Sequence, residues 1–386
     1  MKKLCALTLV SAIVASSGAI SGFTLENNNA SSLTKNCKSA YLMDYNTGEC
    51  LYKENETARM PIASVCKVMT LTLVFDAIQD GSLALTDTVT VSENAAGMGG
   101  SQVFLESGCE YEVNQLIKSI IVCSANDSCV ALSETVAGGE QEFVARMNEK
   151  AKSLGCTDTL FANCTGLPRD TQYSCAKDVA TMFSNLIKYE DYFKYSKIWL
   201  EDFAHPEERT TSMTNTNKLI RKYPACDGGK TGFTNEAGFC LASTAQKNNM
   251  RLVSAVLGAS SSDDRFSSAI KMFEYGFANF KNKIVLDKDV TLNDEFFVRG
   301  GKKDTFLVRP ERNAYIFSAN DKTPEVSYVL IADDVKAPVA ENSVVGRIEI
   351  YKDNVLADTV NVVAAESVEK AGFIDYFKQI AQNWAM

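Results

Sequence analysis

The sequence predicts an α+β fold in two parts, and three observations support this prediction. Alternating apolar strands occur at 39–53 and again at 226–258. Helical apolar periodicity fills most of the stretch between them. Beyond Asn282 the pattern changes to short alternating strands. Because 386 residues also exceed one comfortable hydrophobic core, we expect a larger α+β domain followed by a smaller all-β domain.

The N-terminus is typical of an export signal. Lys2 and Lys3 precede an apolar stretch at 4–15 and a group of small residues, so we assign 1–21 to a signal peptide and expect an exported protein. Without Lys2 and Lys3, the chain has 37 basic residues against 48 acidic ones, a net charge of −11. This charge argues against nucleic acid as a partner.

The cysteine and histidine counts limit the chemistry. Of twelve cysteines, Cys5 lies in the predicted signal, which leaves an odd number, and no C-x-x-C pair occurs. We therefore expect mostly free thiols, no metal site and no cofactor. The single histidine, His205, lies in an acidic stretch that predicts a mobile loop. A serine enzyme with this composition would need a lysine as its base.

The first element is a predicted hairpin at 39–53, and a buried helix follows at 65–78. Ser64 begins this helix, and Lys67 lies on the same face one turn later, so its amine comes within reach of the hydroxyl. Burial disfavours the ammonium form, so the amine could act as a base at neutral pH. The alternative is that Ser64 only caps the helix and Lys67 extends to the surface.

A second polar group is predicted at a turn between two apolar helices. The helices cover 113–122 and 129–136, and the turn carries Ser124 and Asn126. Such a turn could direct both side chains into a cleft. An ordinary helix–helix turn is the alternative, because Ser, Asn and Asp are all common there.

A third polar group lies on a glycine-edged strand. The stretch 227–234 reads Asp-Gly-Gly-Lys-Thr-Gly-Phe-Thr, and apolar strands follow at 238–242 and 252–258. Glycines beside Lys230 let a ligand or another chain approach the backbone. The preceding residues, 139–200, are helix-rich and contain no metal or nucleotide motif.

Together these groups form S-x-x-K at Ser64, S-x-N at Ser124 and K-T-G at Lys230, in that order. The surrounding sequence resembles the D-alanyl-D-alanine carboxypeptidases, the low-molecular-mass penicillin-binding proteins of peptidase family S11, over roughly 36–280. The departures are mild, with Ala125 where glycine is commoner and Cys66 inside the first motif. The resemblance implies a penicillin-recognising, serine transpeptidase-like domain at 22–282, with an antiparallel sheet and a helical subdomain.

The resemblance also implies a reaction and a set of site residues. The substrate would be the D-Ala-D-Ala end of peptidoglycan stem pentapeptides, and β-lactam antibiotics would be covalent inhibitors. Ser64 would attack the penultimate D-alanine carbonyl, and Lys67 would take its proton. Fixed N–H dipoles of Ser64 and Phe233 would hold the oxyanion. The implied catalytic residues are Ser64, Lys67 and Ser124, and the implied substrate-binding residues are Asn126, Lys230, Thr231, Gly232, Phe233 and Arg265.

The C-terminal third predicts a small all-β domain at 283–365 and an amphipathic helix at 366–386. In that helix Phe373 and Trp384 fall on one apolar line. Aromatic residues at a chain end suit the plane of a membrane interface, although the near-balance of Lys and Asp/Glu weakens the case for lipid. The resemblance implies a C-terminal amphipathic anchor, so we expect peripheral attachment at the outer face of the cytoplasmic membrane or in the cell wall. Docking of the helix onto the β domain is the alternative.

Two other functions deserve comparison. A class A β-lactamase shares the three motifs but needs a glutamate between the second and third to activate the deacylating water. No glutamate occurs between Glu149 and Glu190, and a lactamase needs no extra β domain. A catalytically silent wall-binding protein could keep the fold, but three intact motifs argue against decay.

Overall fold

A computed structural model describes residues 33–376, so the predicted signal at 1–21 and the residues after 376 lie outside the described part. The described helices are α1 (Lys67–Gln79), α2 (Glu93–Ala96), α3 (Val113–Val122), α4 (Asn126–Ala137), α5 (Glu140–Ser153), α6 (Ala176–Leu186), α7 (Glu190–Ser196), α8 (Leu219–Lys222) and α9 (Ser262–Asn279). The described strands are β1 (Ser39–Asp44), β2 (Cys50–Glu54), β3 (Thr88–Thr90), β4 (Glu110–Glu112), β5 (Leu200–Ala204), β6 (Thr210–Thr214), β7 (Cys226–Thr234), β8 (Gly238–Lys247), β9 (Met250–Ala259), β10 (Phe280–Leu286), β11 (Glu295–Phe297), β12 (Thr305–Pro310), β13 (Ala314–Ala319), β14 (Val326–Ala332), β15 (Val344–Lys352) and β16 (Val355–Ala364).

The larger domain contains a five-stranded antiparallel sheet with strand order β2-β1-β9-β8-β7. This order places β7, the strand with the K-T-G sequence, at one edge of the sheet. Lys230 on β7 lies opposite Ala242 on β8. The other edge of β7 is therefore available to face the residues of a cleft.

Helices cover both faces of the sheet because side chains alternate along each strand. On one face, Leu252 of β9 packs with Phe266 and Phe273 of α9. On the other, its neighbour Val253 joins the larger core around α1 and α6. Burial of each such side chain contributes about 1.5–3 kcal/mol to stability. The core thus fixes α1 between the sheet and the remaining helices.

Two predicted helix starts differ from the structure. Ser64 does not begin the α-helix but lies in a 3-10 turn, Ala63–Cys66, and α1 starts at Lys67. The helix predicted from Cys129 starts three residues earlier, so Asn126 is the first residue of α4. In both cases a residue with positive φ lies just before the observed start, Ala63 in the first case and Ser124 in the second. A pattern of apolar spacing does not detect such a backbone.

The prediction that His205 lies in a mobile loop is wrong. His205 is 7% exposed and lies at the turn of the β5–β6 hairpin. Its Nδ1 accepts from the Arg209 guanidinium at 2.8 Å, and its Nε2 lies 2.9 Å from Thr211 Oγ1. Burial and the Arg209 charge lower the pKa of His205. The histidine therefore fastens the hairpin through its contacts with Arg209 and Thr211.

The C-terminal domain contains the sheet β11-β12-β16-β15-β14 and the pair β10-β13. After β16 the chain is extended, and Val368 bridges Val339 while being 2% exposed. Helical backbone begins only at Phe373, so the start predicted at 366 is wrong. Packing on the β domain holds 366–371 extended, a tertiary effect that helical periodicity cannot reveal. Over 33–376, no helix has the length and apolar character needed to cross a membrane.

All eleven cysteines of the described residues are unpaired, as expected from the sequence. Seven of them are buried. Burial raises the pKa of several of these thiols, to about 12 for Cys129. They serve as small apolar residues in the core, and the described residues contain no cluster of His, Cys, Asp and Glu that could hold a metal.

Candidate active site

Ser64 is held by the backbones of two other segments. A Cβ added to Gly232 of β7 would lie 3.0 Å from the Ser64 nitrogen, and one added to Gly166 would lie 2.9 Å from it. Only glycine permits these approaches. Ser64 itself is half-buried, whereas its neighbours Ala63 and Val65 are buried. Its hydroxyl is thus fixed in position without being sealed from a ligand.

Lys67 is fully buried at the start of α1. Its Nζ lies 2.9 Å from Ser64 Oγ and 2.5 Å from the Thr165 carbonyl oxygen. Among the described residues, no carboxylate oxygen lies within 4.0 Å of this amine. Burial lowers the pKa of Lys67. The neutral amine, which can accept a proton from Ser64, is therefore easier to form than in an exposed lysine.

Ser124 and Lys230 form a second hydroxyl–amine pair. Ser124 has φ of +67° in the corner between α3 and α4, and its Oγ lies 2.8 Å from Lys230 Nζ. The same amine donates to the Thr231 carbonyl at 2.9 Å. Burial, together with the charge of Lys67, lowers the pKa of Lys230 well below its ordinary value. The two lysines therefore share one buried site, where two full positive charges are unfavourable.

Asn126 lies beside this pair with one free side-chain atom. Its backbone N–H donates to the Ser101 carbonyl at 2.7 Å, and its Nδ2 donates to the Gly99 carbonyl at 2.7 Å. Its buried Oδ1 has no hydrogen-bond partner. Such an orphaned acceptor is costly unless a ligand satisfies it. An N–H of a bound peptide would suit this position.

The remaining predicted residues lie along β7. Thr231 Oγ1 donates to Thr216 Oγ1 at 2.8 Å, and the ring of Phe233 is 52% exposed at the end of the strand. Arg265, 7% exposed, donates to the carbonyl groups of Gly232 and Cys240. Burial lowers the pKa of Arg265 to about 10. Its described contacts support the backbones of β7 and β8 and do not include the Thr231 side chain.

Sequence reasoning missed three site residues. Thr165 supplies the carbonyl oxygen for Lys67, Gly166 packs against Ser64, and Thr216 bonds to Thr231. The turn that carries the first two is built by Asn163, whose Oδ1 accepts from both of their N–H groups. The Asn-Cys-Thr-Gly sequence is a turn signal, but nothing in it indicates contact with a lysine almost a hundred positions away.

Comparison with known families agrees with this geometry. Residues 26–261 match the family described as D-alanyl-D-alanine carboxypeptidase, and residues 280–370 match the C-terminal domain of penicillin-binding protein 5. The chain belongs to the D-alanyl-D-alanine carboxypeptidase family, peptidase family S11. It is thus a hydrolase of the penicillin-binding type that acts on cell-wall peptidoglycan, outside the cytoplasm, by the serine acyl-enzyme route general to the family.

Curated relatives support membership of the carboxypeptidase family along the whole chain. The D-alanyl-D-alanine carboxypeptidase DacF of Bacillus subtilis is 35% identical over 386 residues, covering 100% of this chain and 99% of that protein. DacA of Escherichia coli is 31% identical over 362 residues, covering 90% and 88% respectively. The similarity to DacF therefore extends through the C-terminal part of the chain as well as the carboxypeptidase part.

Solved structures give the same fold. Penicillin-binding protein 5 from Haemophilus influenzae matches with a TM-score of 0.68 and 30% identity, covering 87% of this chain and 98% of that one. A structure of PBP3 from Streptococcus pneumoniae matches with a TM-score of 0.71 and 26% identity, covering 87% and 100%. Both comparisons include the penicillin-recognising α+β domain and the β-rich domain that follows it.

Proposed function

We propose that this carboxypeptidase removes the terminal D-alanine from peptidoglycan stem pentapeptides through an acyl-enzyme on Ser64. The observation that carries this assignment is the distance of 2.9 Å between Ser64 Oγ and the buried Lys67 amine. Neutral Lys67 accepts the proton as Ser64 attacks the penultimate D-alanine carbonyl. The Thr165 carbonyl orients the amine toward the hydroxyl. The C–N bond to the leaving D-alanine then breaks.

The leaving amine needs a proton, and Ser124 with Lys230 relays to it the proton that Lys67 took from Ser64. The Ser124 hydroxyl lies 2.8 Å from Lys230 Nζ, so a proton can pass from the amine through the hydroxyl to D-alanine. Water later attacks the ester carbonyl and restores free Ser64. Burial lowers the pKa of both lysines, and the charge of Lys67 lowers that of Lys230 further, so a proton on one lysine disfavours a proton on the other.

Backbone and side-chain groups around the two pairs seat the substrate. The N–H groups of Ser64 and Phe233 stabilise the oxyanion, which is supported by the close packing of Gly232 against the Ser64 nitrogen. Asn126 Oδ1 accepts from a peptide N–H of the substrate. Thr231 binds the terminal carboxylate, and Arg265 adds positive charge behind β7. Gly232 allows the backbone that carries Ser64 to pack directly against β7.

Membrane attachment is a further part of this function. We assign 22–282 to catalysis, 283–365 to a spacer domain and the C-terminal stretch to peripheral attachment at the outer face of the cytoplasmic membrane. At the start of that stretch, Phe373 is 84% exposed and Ile374 is 69% exposed. Apolar side chains of this kind, continued by the apolar line toward Trp384, suit a membrane interface.

Release of D-alanine tests the catalytic assignment. The purified protein is incubated with a stem pentapeptide, and free D-alanine and the tetrapeptide product are measured over many turnovers. Ser64→Ala should abolish release, whereas Ser82→Ala, in an exposed turn after α1, should leave it unchanged. Full activity in Ser64→Ala would reject Ser64 as the nucleophile. No release by the unaltered protein would reject the proposed activity.

A further inference from the structure

Phe104 has a backbone conformation that is unusual for its size. Its φ is +65°, a region that bulky residues rarely occupy. Among the described non-glycine residues with positive φ, most are Asn or Asp. The others are Ala63, Phe104, Ser124, Glu207 and Glu208. Ala63 and Ser124 belong to the active site, and the two glutamates form the exposed turn of the β5–β6 hairpin.

Hydrogen bonds on both sides fix this conformation. The buried Asp127 carboxylate accepts from Val103 N–H at 3.0 Å and from Leu105 N–H at 3.1 Å. On the other side, the Arg209 guanidinium donates to the Phe104 carbonyl at 2.7 Å. The structure therefore clamps the residues before and after Phe104, and the strained φ cannot relax. Such strain costs about 1–3 kcal/mol and persists only where its surroundings hold it.

The clamp exposes the largest apolar side chain of its segment. Val103 is 0% exposed and Leu105 is 4% exposed, but the Phe104 ring between them is 54% exposed. The hydrophobic effect alone would favour a conformation of this segment in which the Phe104 ring is buried. An exposed aromatic ring held in a strained backbone indicates a binding role.

The position of the segment indicates which ligand the ring meets. The loop 99–105 carries the Gly99 and Ser101 carbonyls that bind Asn126. Two positions from Asn126, Ser124 bonds to Lys230 of β7. The loop and β7 therefore converge on the S-x-N motif from different parts of the chain. A peptide with its D-Ala-D-Ala end between them would advance about 3.3 Å per residue, so the residue before that end would reach the neighbourhood of this loop.

We propose that Phe104 is a specificity-determining residue that contacts the apolar methylene chain of the stem peptide's diamino-acid residue. This inference rests on the proposed function, because it needs a stem peptide bound at Ser64. The diamino acid directly precedes D-Ala-D-Ala, and its methylene chain offers the apolar surface that a ring can cover. The amine at the tip of that chain remains in solvent. Asp127 and Arg209 act as positioning residues, because they fix the backbone that exposes the ring.

Two short substrates and three variants test this proposal. Nα,Nε-diacetyl-L-Lys-D-Ala-D-Ala carries the methylene chain, and Nα-acetyl-L-Ala-D-Ala-D-Ala does not. Phe104→Gly removes the ring and also relieves the positive φ, so it should fold at least as well as the unaltered protein. Phe104→Leu keeps apolar bulk. Phe297→Gly is the matched control, because Phe297 is 79% exposed on the separate β domain.

Phe104→Gly should lower kcat/KM about tenfold for the lysine peptide and less than about twofold for the alanine peptide, in line with the discrimination that apolar pockets achieve. Phe104→Leu should recover part of the loss, and Phe297→Gly should change neither value. An unchanged ratio between the two peptides, in an active Phe104→Gly enzyme, would overturn the assignment of Phe104 alone. No D-alanine release from either peptide by the unaltered protein would overturn the proposed function and this inference together.

Discussion

At the residue scale, the chemistry depends on two amines that lack the usual partners of a lysine. A buried ammonium is normally paired with a carboxylate because its desolvation is costly. Lys67 and Lys230 contact hydroxyl and carbonyl oxygens instead. Burial is the largest cause of the lowered pKa at both residues. Because these partners carry no negative charge, they do not stabilise the ammonium form as a carboxylate would, and the amines stay available for proton transfer.

The pH profile of kcat/KM should report the lowered pKa of Lys67. Neutral Lys67 is the base, and its pKa lies below the ordinary 10.5, so activity should rise with pH through that lowered value and level off before 10.5. Lys67→Arg keeps a cation that cannot lose its proton, so kcat/KM should fall by roughly 10²–10⁴ and the rise should disappear. Lys152→Arg, on the exposed side of α5, is the control. An unaltered rise in Lys67→Arg would assign that ionisation to another group.

At the element scale, the motifs could be predicted because each is short and local. Ser64 and Lys67 lie one turn apart, and Lys230 follows from a glycine-edged strand. The turn at 163–167 could not be predicted as part of the site, since its role comes from packing under the 3-10 turn. The β5–β6 hairpin was not predicted, because the acidic residues near His205 suggested a loop and outweighed the apolar signal of Phe203 and Met213, which are buried.

A single methyl group in the turn at 163–167 should disrupt the site. In Gly166→Ala, the Cβ would lie 2.0 Å from the Ala63 carbonyl oxygen, and the residue would keep φ of +81°. The backbone under Ser64 must then move, which should lower Tm and reduce D-alanine release. Gly155→Ala is the matched control, because φ is +74° there but nothing lies within 4 Å of the added Cβ.

The control should lose only about 1–2 kcal/mol of stability, the cost of left-handed backbone for a residue with a Cβ, and keep its kcat. Thermal unfolding and D-alanine release measure the two effects separately. Equal losses of Tm and of kcat in both variants would show that the contact with Ala63 does not position Ser64.

At the scale of the whole molecule, the site is built by parts of the chain that lie far apart in sequence. Ser64 comes from the segment before α1, Ser124 from the corner between α3 and α4, and Lys230 from the sheet edge. The β domain contributes none of the predicted site residues. The two folded parts have separate cores, and we propose catalysis for the first and positioning at the cell surface for the second.

Truncation tests that division. Because Val368 and Ala371 are buried on the β domain, the deletion should begin at Phe373 and spare them. A protein lacking 373–386 should keep its Tm and its D-alanine release but no longer float with liposomes. Replacing Phe373 and Ile374 by serine in the full chain should weaken flotation in the same direction. Equal flotation of the full-length and truncated proteins would reject membrane attachment through this stretch.

The lifetime of the acyl-enzyme tests the central claim most directly. Mass spectrometry after treatment with benzylpenicillin should find one covalent adduct on Ser64 that persists for many substrate turnovers. The opened ring stays tethered and blocks water, and 150–189 contains no glutamate to activate water by another path. Under the same conditions the pentapeptide should be hydrolysed repeatedly. Rapid loss of the penicillin adduct with release of penicilloate, or no adduct at all, would contradict the account.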